Sequence, residues 1–220
     1  MQTVQLKQHI GKRKNKIKYI VIHDTGNTSV GAGANAHKNY FMTTDRQASA
    51  DFVVEDDIVI KLNDYYKYLT WHCGDGGGKY GITNSNSIGI EMCVNSDSNR
   101  QKTINTTIKL VFDLMEELNI PIDRVVRHYD ASRKICPASM RANNWEGWRR
   151  FKAALKEFIE MKKSKENLML LKFGQKSAVY ETVLTGGYNF IRIRDLLEFL
   201  GYEIESYSGT EIVIREQSKG

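Results

Sequence analysis

Two histidines and a cysteine stand where a folded chain could bring them to one point. His23 ends the β-branched, aromatic run 16–22 (KIKYIVI), and residues 24–33 after it are rich in Gly, Asn, Ser and Thr. His128 ends the short apolar run 122–127, and Cys136 follows eight residues later, directly before Pro137. Imidazole nitrogen and thiolate sulfur are metal ligands, and the rim of a sheet beside a loop is where α/β proteins bind ligands. Glu91 interrupts the otherwise apolar run 87–94 (SIGIEMCV). A carboxylate there is costly unless it is paired or used, so it is either half of an ion pair or an acid–base group. Lys134, two residues before Cys136, is either a solvated surface lysine or a cation that steadies a developing oxyanion. His72, in Trp71-His72-Cys73-Gly74, either lines a substrate groove or serves a local structural role.

The elements that must position these groups follow from the pattern. Residues 16–22 and 87–94 read as buried strands, and 52–54 with 58–62 flank Glu55-Asp56-Asp57 as a hairpin. Residues 34–42 read as a helix. In 103–119, Ile104, Ile108, Val111, Phe112, Met115 and Leu118 fall on one side of a helix that Pro121 stops. Residues 74–86 hold five Gly and two Asn and read as a long loop, 122–127 as a short strand, and 145–163 as a last helix. Alternating strands and helices predict an α/β domain whose mixed central β-sheet is flanked by helices.

Together the site residues and their neighbours resemble the zinc amidases that cut peptidoglycan, a family that includes phage-type lysozymes with amidase activity and the peptidoglycan recognition proteins. The resemblance rests on Val21-Ile22-His23-Asp24-Thr25, Thr70-Trp71-His72-Cys73-Gly74, Ser87-Ile88-Gly89-Ile90-Glu91, His128-Tyr129-Asp130 and Lys134-Ile135-Cys136-Pro137. It implies zinc on His23, His128 and Cys136, with the fourth tetrahedral position open for water as in a catalytic site. It further implies Glu91 as general base, Lys134 at the oxyanion, and an N-acetylmuramoyl-L-alanine amidase as the activity. Some relatives carry a catalytic Tyr where Ser49-Ala50-Asp51-Phe52 has Ala50. That departure moves the acid–base burden to Glu91.

The polar run 162–167 (KKSKEN) predicts a boundary, giving a catalytic domain over 1–163 and a small α+β module over 167–220. In the module, 168–173 and 178–184 read as strands, 193–200 as a helix, and 203–206 with 211–214 as a hairpin turning at Ser208-Gly209. Gly187 through Arg194 and Leu196 through Ile204 resemble the N-terminal-like domain of copper amine oxidases. That resemblance implies a wall-binding or oligomerisation module; with no His or Cys in this segment, no copper site follows.

Composition narrows the partners. The chain has 220 residues, 41% apolar, which excludes disorder, and no apolar run long enough for a membrane span. Three cysteines cannot all pair, so a disulfide framework is not expected. The N-terminus has basic residues but no apolar signal core, so the expectation is cytoplasmic synthesis and later action on the wall, as a phage or prophage endolysin. Residues 1–165 hold 26 Lys and Arg against 18 Asp and Glu, or +8, while 166–220 hold 6 against 8, or −2. The first part is thus suited to an anionic polymer, here peptidoglycan with its associated anionic wall polymer. Nucleic acid would fit the charge alone, but no helix-turn-helix, zinc finger or RNA-binding aromatic signature accompanies it. A peptidoglycan-binding module without chemistry remains the other reading.

Overall fold

Four parallel strands whose C-terminal ends share one rim organise the part of the chain that carries the candidate site. The fold is that of a computed structural model, which describes residues 1–166, 168–173, 175–181, 183–185, 188–207 and 212–216. Two compact units are present, Met1–Phe158 and Ile159–Gly220.

In chain order the first unit contains β1 (Gln2–Thr3), β2 (Ile10–Lys12), β3 (Tyr19–Asp24), α1 (Ala34–Thr43), β4 (Phe52–Glu55), β5 (Ile58–Lys61) and β6 (Tyr68–Thr70). It continues with β7 (Ser87–Met92), α2 (Arg100–Leu118), β8 (Val125–Arg127) and α3 (His128–Ser132), and α4 (Ala142–Glu166) starts within it. The main sheet has the order β1-β5-β4-β7-β3-β8. Strands β4, β7, β3 and β8 are parallel neighbours, β5 is antiparallel to β4, and β1 is parallel to β5. The mixed sheet with flanking helices is the expected architecture.

Residue types on the central strands separate a core face from a chemical face. Successive side chains point to opposite faces, and the register pairs Ile20 with Ile88 and Ile22 with Ile90, all fully buried. The alternate positions pair Val21 with Gly89 and His23 with Glu91. Helix α1 packs on β4 and β5, and α2 on β4 and β7. Ala34 and Phe41 of α1 join Leu6, Ala50, Val53, Ile60, Leu62 and Cys93 in one buried cluster. Asp51 is fully buried, and its carboxylate accepts hydrogen bonds from Asn63 Nδ2 at 2.8 Å, Thr70 Oγ1 at 2.7 Å and the Gly89 N–H at 2.9 Å. One carboxylate therefore ties the loop after β5, β6 and β7 together.

Several boundaries differ from the sequence pattern for local reasons. The first half of the strand expected at 122–127 is a 3₁₀ turn, Ile122–Arg124, closed by the Arg124 N–H on the Pro121 carbonyl. Helix α2 begins at Arg100, three residues early, because the Asn99 side chain caps the Lys102 N–H. Asn143, Asn144 and Trp145 at the start of α4 have φ of 50°, 53° and 66°, so the regular helix begins only after them. Strands β1, β2 and β6 span two or three residues each, too short for an alternation to register. Arg13, within the basic run 12–16, is anchored in the fold: its guanidinium donates to the carbonyls of Tyr65, Ser85 and Ser87 at 2.6, 2.8 and 3.0 Å.

Among its described residues the second unit holds the end of α4, three antiparallel strand pairs and a further helix. Strand β9 (Leu168–Phe173) pairs with β10 (Lys176–Glu181), β11 (Val183–Thr185) with β12 (Tyr188–Phe190), and β13 (Tyr202–Tyr207) with β14 (Ile212–Glu216). The single strand expected at 178–184 is thus divided between β10 and β11. Helix α5 (Ile193–Leu200) occupies the expected residues and packs on β13, ending at Gly201 with φ 91°, the left-handed cap that glycine takes without a Cβ penalty. The turn expected at Ser208-Gly209 lies outside the described residues.

Candidate metal centre

His23, His128 and Cys136 meet at the rim where β3, β7 and β8 end. One ligand atom from each lies within 4.8 Å of the others, and all three residues are buried. His23 Nδ1 is 3.7 Å from Cys136 Sγ, and the His23 and His128 rings are 4.6 Å apart between centroids. Among the described residues this is the group of three or more such side chains with that convergence.

The chain around each ligand explains the convergence. His23 is the fifth residue of β3 and sits beside Glu91 of β7. Ile22 pairs with Arg127, so His128, the next residue after β8, emerges beside His23. The turn into α3 is fixed by Asp130, whose carboxylate accepts from the Arg127 N–H at 2.9 Å and from its Nε and Nη2 at 3.0 and 2.6 Å. The Arg127 guanidinium also lies 4.3 Å over the Trp145 ring, a cation–π contact. Cys136 is fastened on two sides: its carbonyl accepts from the Tyr129 N–H at 3.0 Å, and the Ser139 N–H donates to Asp24 Oδ2 at 2.7 Å. Neither Asp24 nor Arg127 stands out in the sequence as a fastener, because each acts through a partner in a different element or turn.

Burial sets the charge states. Burial, reinforced by His128, His72 and Lys134, holds the His23 imidazole well below its ordinary pKa, so the ring is neutral and can ligate. Burial also pushes the Cys136 thiol up, and the Glu91 carboxylate adds to this. Glu91 itself is pushed up to about 8 by burial and by the Asp24 carboxylate, against the pull of Lys134. Glu91 Oε2 is buried without a hydrogen-bond partner. A neutral His23 imidazole beside that of His128, a thiol and an orphaned carboxylate oxygen fit a divalent cation, which would favour the thiolate and carboxylate forms that burial opposes.

A cleft of about 740 Å³ opens on this group, lined by His23, Glu91, His128, Lys134 and Cys136 with Tyr40 on the α1 side. A second recess of about 480 Å³ shares Trp71, His72, His128 and Lys134 and adds Arg46 and Asn84. Lys134 is exposed and lines both. His72 is 8% exposed, its Nδ1 lies 3.1 Å from His23 Nε2, and its Nε2 lies 3.1 Å from Ser87 Oγ. Ala50 is fully buried in the cluster beneath α1. Cys73 and Cys93 are buried and reduced, and His37 sits on α1 with Nδ1 3.1 Å from the Gly33 carbonyl.

A cleft at the carboxyl ends of parallel strands, with a His, His, Cys group beside a buried glutamate, defines the class as a mixed α/β protein with a candidate metal centre. The chain belongs to the N-acetylmuramoyl-L-alanine amidase family, whose model matches residues 13–139. It is 36% identical over 135 residues to the N-acetylmuramoyl-L-alanine amidase CwlH of Bacillus subtilis (strain 168), covering 59% of this chain and 50% of that protein. To the amidase XlyA of the same organism it is 37% identical over 142 residues, covering 62% and 43%. The chain thus spans about half the length of the curated relatives it matches. The solved catalytic domain of XlyA superposes with a TM-score of 0.60 at 33% identity, over 70% of this chain and 99% of that one. A mutant endolysin from Bacillus subtilis gives 0.61 at 34%, over 70% and 97%.

Proposed function

We propose that this chain hydrolyses the amide bond between N-acetylmuramic acid and L-alanine in peptidoglycan, as a zinc-dependent endolysin of a phage or prophage. The observation that carries the reading is the convergence of His23, His128 and Cys136 within 4.8 Å in a fold of the amidase family. These three side chains would hold zinc. When bound, zinc supplies Lewis acidity, lowering the pKa of water to about 7 and polarising the scissile carbonyl.

The chain's own residues do the rest. Glu91, desolvated and with Oε2 unpartnered, takes a proton from the attacking water and delivers it to the leaving nitrogen. The C–O bond forms first and the C–N bond then breaks; with both water protons passed to the departing nitrogen, a lactyl carboxylate stays on the sugar and alanine leaves as its ammonium. Lys134, at the mouth of the cleft, presents its ammonium to the carbonyl oxygen as negative charge develops there. His72, which lines the cleft wall, packs behind the ligands. With no Tyr at position 50, proton transfer rests on Glu91.

The basic first part of the chain, at +8, supplies attraction to anionic wall polymer. Residues 167–220 would add a specific hold on the wall, since their charge of about −2 (residues 166–220) gives none in bulk. No helix among the described residues is long and apolar enough to cross a membrane. Digestion of purified peptidoglycan tests the reaction: new N-terminal L-alanine without new reducing sugar supports it, and absence of that product with zinc present favours a binding module without chemistry. Pelleting with cell walls tests the second unit. Equal pelleting of the full chain and of residues 1–163 removes its wall-holding role.

A further inference from the structure

The buried chain of polar groups behind His23 has a direction, and that direction bears on which nitrogen of His23 is free to ligate. Ser87 Oγ lies 2.5 Å from the Thr83 carbonyl, which can only accept, so the hydroxyl proton is committed there. Ser87 Oγ is also 3.1 Å from His72 Nε2 and must accept from it. A neutral His72 ring with its proton on Nε2 has a bare Nδ1, which lies 3.1 Å from His23 Nε2 and accepts from that nitrogen in turn. His23 is then protonated on Nε2 and bare on Nδ1, the atom 3.7 Å from Cys136 Sγ.

We propose that His72 is a positioning residue that, together with Ser87, fixes the tautomer and ring orientation of His23 and so presents its Nδ1 lone pair to the metal. The assignment deepens the zinc-site reading above and rests on it.

The surroundings hold His72 for that purpose. Its backbone N–H and that of Cys73 both donate to Asn84 Oδ1, at 3.0 and 2.7 Å. Its ring lies against Gly89 of β7, so close that a Cβ there would stand 2.5 Å from His72 Cγ and 2.8 Å from Nδ1. The His23 and His72 rings meet edge to face, 5.2 Å apart at 86°. A ring held only for packing would not need both nitrogens aligned on partners 3.1 Å away. Outer hydrogen-bond partners of ligating histidines commonly contribute a factor of about 10–100 in metal affinity.

The experiment uses the full chain in two measurements. Long-range ¹H–¹⁵N NMR of the metal-free protein reads the His23 tautomer directly; protonation on Nε2 is expected, and protonation on Nδ1 overturns the proposal. Zinc affinity is then measured by competition with a chromogenic chelator for the wild type, His72→Asn, His72→Gln, His72→Leu and Ser87→Ala. Asparagine places an acceptor near the position of Nδ1 and should retain most of the affinity. Glutamine and leucine, which lose that acceptor, should each cost about 10–100-fold, with Ser87→Ala intermediate. Equal affinity across the series overturns the proposal. A wild type that binds no zinc refutes the metal-site reading instead, and the NMR measurement then still decides the tautomer.

Discussion

Gly89→Ala is a one-carbon change whose consequence can be worked from distances. The added Cβ would stand 2.5 Å from His72 Cγ, 2.8 Å from Nδ1 and 2.9 Å from its Cβ, where ordinary contact begins at 3.4 Å. The ring must therefore retreat by about 0.9 Å. Because His72 Cβ is itself too close, turning the ring about its own axis does not relieve the clash. His72 is anchored at its backbone by Asn84, so strain passes to β7 or to the ring's contacts. Hydrogen bonds between nitrogen and oxygen or nitrogen hold within a few tenths of an ångström, so a shift of this size breaks one or both of the 3.1 Å contacts at His72. Overpacking of this kind costs about 1–3 kcal/mol of stability, read as a lower midpoint in denaturant. Zinc affinity, read by chelator competition, should fall by about tenfold or more. Gly11→Ala is the control, since its Cβ would meet Leu69 at an ordinary 3.4 Å. Loss of stability with unchanged zinc affinity would mean that the His72 contacts do not support the ligand.

Other outcomes follow from the same geometry. Glu91→Gln should keep zinc within the wild-type range and lower kcat by about 10²–10⁴; near-normal turnover in that variant removes Glu91 from proton transfer. Burial holds the Asp51 carboxyl above its ordinary value, against the hydrogen bonds from Asn63, Gly89 and Thr70. A carboxyl raised in the folded state keeps a proton that the unfolded chain has lost, so its stabilisation is fully present below the unfolded value of about 3.9 and is lost as pH rises through the folded one. Denaturant midpoints of the wild type should therefore decline relative to Asp51→Asn across that window, and parallel curves would contradict this. Activity on whole walls should fall with salt more steeply than activity on soluble muropeptides, because only the former draws on long-range attraction to the +8 charge of residues 1–165; equal slopes would rule out adhesion through charge.

What the sequence made legible were features that act along the chain. Short β-branched and apolar runs placed β3 and β7, and the spacing of Ile104, Ile108, Val111 and Met115 placed α2. A carboxylate inside the run 87–94 and histidines at two strand ends marked the groups that the structure brings to one rim. What stayed hidden acts across the chain. The Asp51 carboxylate looks unremarkable beside Phe52, yet it joins three segments because its partners lie 12, 19 and 38 residues away. Gly89 reads as one more strand residue until the His72 ring is seen against it. His72 itself was legible as a site residue from its neighbours, while the direction of its two hydrogen bonds depends on Ser87 and Thr83, fifteen and eleven residues further on. The three short strands escaped because two or three residues carry no period.

If His23, His128 and Cys136 hold the zinc on which amide hydrolysis depends, activity must follow the metal. The most direct measurement is release of N-terminal L-alanine from a defined muropeptide by protein stripped with chelator and then titrated with zinc. Loss of release on stripping, with recovery complete at one zinc per chain, is the predicted result. Full release by the stripped protein would rule out a zinc-dependent reaction at this site.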